Sequence, residues 1–171
     1  MSALPLSERA LRAIECRLRK IRKPGGFATD AGRNVLREAE SVSADELPWI
    51  SVFDGGETPD DGAGNRAAMT MRLNVEVQAA LRVECAGTDA QLLKADIKRA
   101  LFGGFGGKLS DDLGDIGAIS YRGTTALNRQ DGGDAALLRV SVTVSYPEGQ
   151  GNPYGSQDAS HGPHRLDQLL S

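Results

Sequence analysis

The chain has 171 residues, 40% of them hydrophobic and 25% charged, a length and balance that suit one globular domain around a single apolar core. A formal net charge of −3 argues against a general nucleic-acid binder, which carries a basic domain. Cys16 and Cys85 have no repeated spacing of the kind found in disulfide frameworks or zinc sites, the opening residues lack a signal peptide's apolar run, and no stretch approaches the roughly 20 apolar residues of a membrane span, so a reducing cytoplasm and no membrane are expected.

Ser7 is placed to cap a first helix in which Leu11, Ile14, Leu18 and Ile21 form one apolar stripe, and Pro24-Gly25-Gly26 ends it. Its other side carries Arg9, Arg12, Arg19, Lys20 and Lys23, a basic face that is either solvated or docked on an acidic neighbour. Residues 34–38 and 49–53 read as two short strands around the polar stretch 41–46, and Asp54-Gly55-Gly56 breaks the pattern. An acidic loop follows, with Asp54, Glu57, Asp60 and Asp61.

From Met69 to Cys85 apolar residues alternate with mostly polar ones, the mark of a long half-buried strand. It spans about 50 Å, more than a small core covers, so one end is expected to project as an arm or hairpin. Thr88 and Gln91 fit a capping box for a second helix, with Leu93, Ile97, Ala100 and Leu101 inward, Lys94, Lys98 and Arg99 mostly outward, and Gly103-Gly104 as the stop. A loop through Asp115 leads to a strand over residues 116–122. A turn with Asp131-Gly132-Gly133 then precedes a closing strand with Leu138, Val140, Val142, Val144 and Tyr146 on one side.

Residues 147–162 are too poor in apolar side chains to pack alone, which leaves a C-terminal tail that is extended or laid on a neighbour, with Leu166, Leu169 and Leu170 as a late anchor. The order of elements predicts an α+β fold: a mostly antiparallel mixed sheet covered by two helices, as a domain over 1–148 followed by a Gly/Pro-rich tail over 149–171.

No reactive constellation emerges. The run Phe102-Gly103-Gly104-Phe105-Gly106-Gly107-Lys108-Leu109 lacks the first glycine and the magnesium-binding hydroxyl of a phosphate loop, and it ends a helix instead of opening one. His161 and His164 flank Gly162-Pro163, which disfavours the helix that would bring them together, so with Asp158 and Asp167 they offer only adventitious metal capture. Asp111, Asp112 and Asp115 lack a calcium loop's ligand pattern and read as solvated turn residues. Gly155-Ser156-Gln157-Asp158 lacks the second glycine of a nucleophile elbow, and Cys16 reads as an inert thiol. The expectation is a protein that is not an enzyme, with no catalytic residue, metal or cofactor.

The opening helix, the segment Asp45-Glu46-Leu47-Pro48-Trp49-Ile50-Ser51-Val52-Phe53-Asp54-Gly55-Gly56-Glu57 and the long alternating strand resemble the tail terminator family of tailed bacteriophages. Ala95-Asp96-Ile97-Lys98-Arg99-Ala100-Leu101-Phe102 is similar to that family's second helix, and Val140-Ser141-Val142-Thr143-Val144-Ser145-Tyr146 to its closing strand. The resemblance covers roughly residues 8 to 148 and rests on the order and spacing of segments.

It implies a structural virion protein, assembled in the host cytoplasm into a homohexameric ring on the head-proximal end of the tail tube. The ring ends tube growth and joins the tail to the head. Implied partners are further copies of the chain, the tail tube protein, the head–tail connector or stopper protein, and a sheath protein if the tail is contractile. DNA passes through the channel without specific binding. On this reading Asp54, Glu57, Asp60 and Asp61 face the lumen, where negative charge keeps the duplex from sticking, and Arg9, Arg12, Arg19 and Lys20 dock on an acidic partner ring. The competing readings are a head-completion or neck protein and, from another class, a small-ligand-binding α+β domain.

Overall fold

A computed structural model describes residues 4–40, 43–60, 68–82, 87–104, 106–127, 135–149 and 152–154. Six strands, β1 (Val35–Arg37), β2 (Trp49–Pro59), β3 (Ala68–Arg82), β4 (Lys108–Asp111), β5 (Gly114–Leu127) and β6 (Ala135–Gly149), form one sheet in the order β1-β2-β3-β6-β5-β4. Only β1 and β2 run parallel; every other neighbouring pair is antiparallel. Two helices, α1 (Leu6–Leu18) and α2 (Thr88–Phe102), complete the α+β fold.

Period-two alternation builds the centre of the sheet. Met71, Leu73, Val75, Val77, Ala79 and Leu81 of β3 are buried, as are Leu138, Val140, Val142, Val144 and Tyr146 of β6, and all join one core with both helices. Each such side chain withdrawn from water contributes about 1.5–3 kcal/mol before the cost of ordering it. The polar residues between them, Arg72, Glu76 and Gln78 among them, take the opposite face, where Arg139 and Glu76 pair at 3.2 Å.

The length of β3 is matched by β6, which has the same 15 residues and pairs with it throughout. Its far end forms a hairpin with β2, and there residues 54–59 of β2 are all exposed.

Several boundaries differ from expectation. Helix α1 starts one residue before Ser7, with Pro5 at the N-cap and no side chain capping it, so the Ser7 cap is not used. It also stops at Leu18, short of Pro24; Ile21 is buried beyond it, and Gly26, at φ 80°, closes the turn that follows. In α2 Gly87 holds the N-cap position and no side chain caps it, so the Thr88–Gln91 box is not used. Asp54-Gly55-Gly56 does not end β2. The pairing skips between Asp54 and Glu57 as a β-bulge, Gly56 takes φ 84°, and the strand resumes to Pro59. The stretch leading to Asp115 holds the short edge strand β4, hairpinned onto β5 through a turn at Asp112 and Leu113.

Candidate interaction surfaces

The basic face of α1 is not one surface. Arg9 is 5% exposed and turns inward, its Nε and Nη2 donating to the two carboxylate oxygens of Asp111 on β4, each at 2.7 Å. Such a fork holds a planar guanidinium in one orientation. The hydrogen bonds from Arg9 hold the Asp111 carboxyl below its ordinary range, against the opposing effect of burial. Arg9 therefore belongs to the packing of helix on sheet and not to the docking face expected of it, and Asp111 is no free turn residue.

Arg12, Arg19 and Lys20 do lie on the exposed side. Arg12 donates to Glu8 at 2.6 Å and Arg19 to Glu15 at 3.0 Å, both one turn apart along the helix. Arg37 of β1 bridges the same two glutamates, with its Nη1 on Glu8 and its Nε on Glu15. Burial pushes the Glu8 carboxyl upward, but the hydrogen bonds from Arg12 and Arg37 outweigh it and leave it lowered. The network locks α1 to the β1 edge, and Lys20, exposed beyond the end of the helix, lines a separate shallow recess with Arg17, Phe27 and Arg99.

The expected acidic loop is mostly strand. Asp54 accepts the N–H of Gly56 at 2.8 Å within the bulge, Asp60 pairs with Arg72 at 2.7 Å, and Glu57 accepts the hydroxyl of Tyr146. Burial, and after it the bond to Glu57, raises the Tyr146 phenol. Burial and the nearby Glu57 charge likewise raise Glu148. Each described acid thus has a local task, and together they make one sheet edge acidic; Asp61, His161 and His164 lie outside the described residues.

Two buried charges join elements far apart in sequence and were not singled out from it. Arg17 is 5% exposed and donates to the carbonyls of Leu101 and Lys108, clasping the two ends of the glycine turn between α2 and β4. Its desolvation lowers its pKa. Asp96 on α2 accepts three bonds from residues 28 and 29: the N–H of Ala28 at 3.2 Å, and the N–H and hydroxyl of Thr29, each at 2.8 Å. A signal existed for Arg17, which sits one residue before Leu18 within the apolar stripe of α1.

A recess between the N-terminal end of α2 and the Leu47–Pro48 segment is lined by Leu81, Leu92 and Leu93, with Lys23, Asp30, Arg82 and Asp89 at its margin; Leu92 is 39% exposed. Among the described residues no group of three or more His, Cys, Asp or Glu side chains is placed to hold a metal ion.

No protein-family model matches the sequence, and no curated protein matches it. The fold has a solved counterpart in a chain of the virion of a native gene transfer agent particle, at TM-score 0.53 and 13% identity, over 80% of this chain and 93% of that one. A second solved chain gives TM-score 0.45 at 13% identity, over 79% of this chain and 94% of that one, and carries no argument. At 13% identity the first likeness establishes the fold alone.

Proposed function

We propose that this chain is a structural protein of a phage-like virion, and within it a tail terminator. Six copies close a ring on the head-proximal end of the tail tube, stop its growth and present the surface that joins the head connector. The observation that carries the reading is the fold shared with a chain of a gene transfer agent virion along nearly the whole of that chain. The tail-terminator resemblance over residues 8 to 148 supports the finer assignment.

The mechanism is geometric. A heterologous contact repeated about an axis closes a ring, and the work is done by shape and charge, without a reaction or a cofactor. Arg12, Arg19 and Lys20 supply the exposed cationic side of α1 for an acidic partner ring. Because Arg12 and Arg19 are already paired with Glu8 and Glu15, their contribution to docking falls with salt and is mainly one of orientation.

Electron microscopy of tails from a deletion mutant tests the assignment. Overlong or unstable tails that fail to join heads support a terminator. Tails of normal length beside leaking heads contradict it and indicate a head-completion protein.

A further inference from the structure

The two edges of the sheet are each covered for only half their length. On one side β1 pairs with residues 50–52 of β2 and, among the described residues, no strand lies outside 54–59, all of them exposed. On the other side β4 pairs with β5 only as far as Ala118; the next outward bond is from the Ile119 N–H to the Gly107 carbonyl at 2.7 Å. Beyond it, among the described residues, no strand lies outside β5, and Tyr121, Arg122, Thr125 and Ala126 are exposed.

The open halves differ in charge. The β2 half carries Asp54 and Glu57, with Glu38 and Asp60 beside it. Residues 119–127 of β5 contain Arg122 and no acid, and the Lys98 ammonium lies 4.2 Å from the Tyr121 ring centroid. They also differ in protection. The Glu38 carboxylate accepts the Asp54 N–H at 2.8 Å, Asp54 caps Gly56, and Pro59 has no N–H to offer. The β5 half has no proline, holds the strand-favouring Ile119, Tyr121, Thr124 and Thr125, and is interrupted by one β-bulge between Tyr121 and Gly123. Side-chain caps and proline are the means by which a free edge is kept from pairing indiscriminately.

We infer that the open half of β5 in one copy pairs with the open acidic half of β2 in a second copy of this chain, extending the sheet from subunit to subunit. This rests on the ring reading and names its interface. The sense is right: within one copy β2 and β5 run in opposite directions, since β2 is antiparallel to β3, β3 to β6 and β6 to β5, so a neighbour in the same orientation meets β5 antiparallel. The contact is heterologous, the kind that closes rings. Glu57 lies across from Leu73 and Thr124 across from Val140, which faces Val77, so the two halves are offset by about 13 Å along the strands. A ring takes up that offset by tilting the strands against its axis, as a closed barrel does. Pairing exchanges the Glu38 cap for a main-chain partner, which holds the isolated copy back from uncontrolled growth.

Charge exchange on the full chain tests this, read by sedimentation at low salt up to millimolar protein, with melting curves confirming that each variant is folded. Wild type associates with concentration, and Glu38→Ala associates at least tenfold more readily. Arg122→Glu with Thr125→Glu makes both edges acidic, Asp54→Lys with Glu57→Lys removes both acids of the β2 half and makes both basic, the remaining Asp60 being paired with Arg72, and each double variant alone stays single. Their equimolar mixture recovers association, because each edge then meets its opposite. Double variants that associate as well as wild type overturn the edge pairing and leave the ring reading standing. A mixture that stays single overturns the pairing too, as does a wild type that stays single throughout; if it does so beside tube subunits, the ring reading falls with it.

Discussion

Arg9 and Asp111 face each other with two hydrogen bonds of 2.7 Å, tying the first turn of α1 to the edge strand β4, 102 residues further along the chain. Replacing Asp111 by Asn leaves the buried guanidinium without its counter-charge, at an expected cost of about 2 kcal/mol at neutral pH, moderated because Asp111 keeps 23% of its side-chain exposure. Its carboxyl titrates lower in the folded chain than in the unfolded one, so this stability is complete above the unfolded value near pH 4 and is lost as pH falls through the folded value. Urea unfolding of Asp111→Asn and wild type across that range should show a gap that closes toward acid.

Arg17→Met keeps the apolar stem in the core and strands the Leu101 and Lys108 carbonyls. The expected loss is about 2–4 kcal/mol, measured by chemical denaturation. Faster amide exchange is expected at Ile119, whose N–H is bonded to Gly107 in the same turn.

Gly117→Ala should be far worse than Gly56→Ala. A Cβ at Gly117 would fall 2.1 Å from the Ser145 carbonyl oxygen and 2.9 Å from the Tyr146 Cβ, so β5 would have to leave β6. At Gly56 nothing lies within 4 Å and only the φ of 84° resists, a strain of about 1–2 kcal/mol. Thermal melting of the two variants makes the comparison, with Gly117→Ala expected to lose its cooperative transition.

Glu148→Gln should raise the melting temperature at pH 7 and have no effect near pH 3. Burial and the neighbouring Glu57 raise the Glu148 carboxyl in the folded chain, so the protonated form is the one that folding favours. That contribution is present below the unfolded value and lost as pH rises through the folded one, and glutamine mimics the form that keeps it.

The alternation of Leu73, Val75, Val77 and Ala79 and of Val140, Val142 and Val144 was enough to read the sheet's centre, because burial on one face imposes a period of two wherever both neighbours are strands. Strand β4 was hidden: Lys-Leu-Ser-Asp holds one apolar residue, and four residues show no period. The bulge at Asp54 and Glu57 hid the rest of β2, since Asp-Gly-Gly has the composition of a turn and only the β3 partner keeps it extended. Charge was the hardest to read. On the helical spacing alone Arg9, Arg12 and Arg19 look alike, yet Arg9 is buried because Asp111 waits for it in a strand that folds in from the far half of the sequence. Long-range partners of this kind leave no local mark.

Mass photometry of the full chain, alone and beside the tail tube subunits that the proposed role calls for, bears most directly on that role. A species of six copies of the 18.1 kDa chain, about 109 kDa, bound at one end only of assembled tubes, is the expected result. A chain that remains at one copy in both conditions, or that coats tubes along their length, contradicts it.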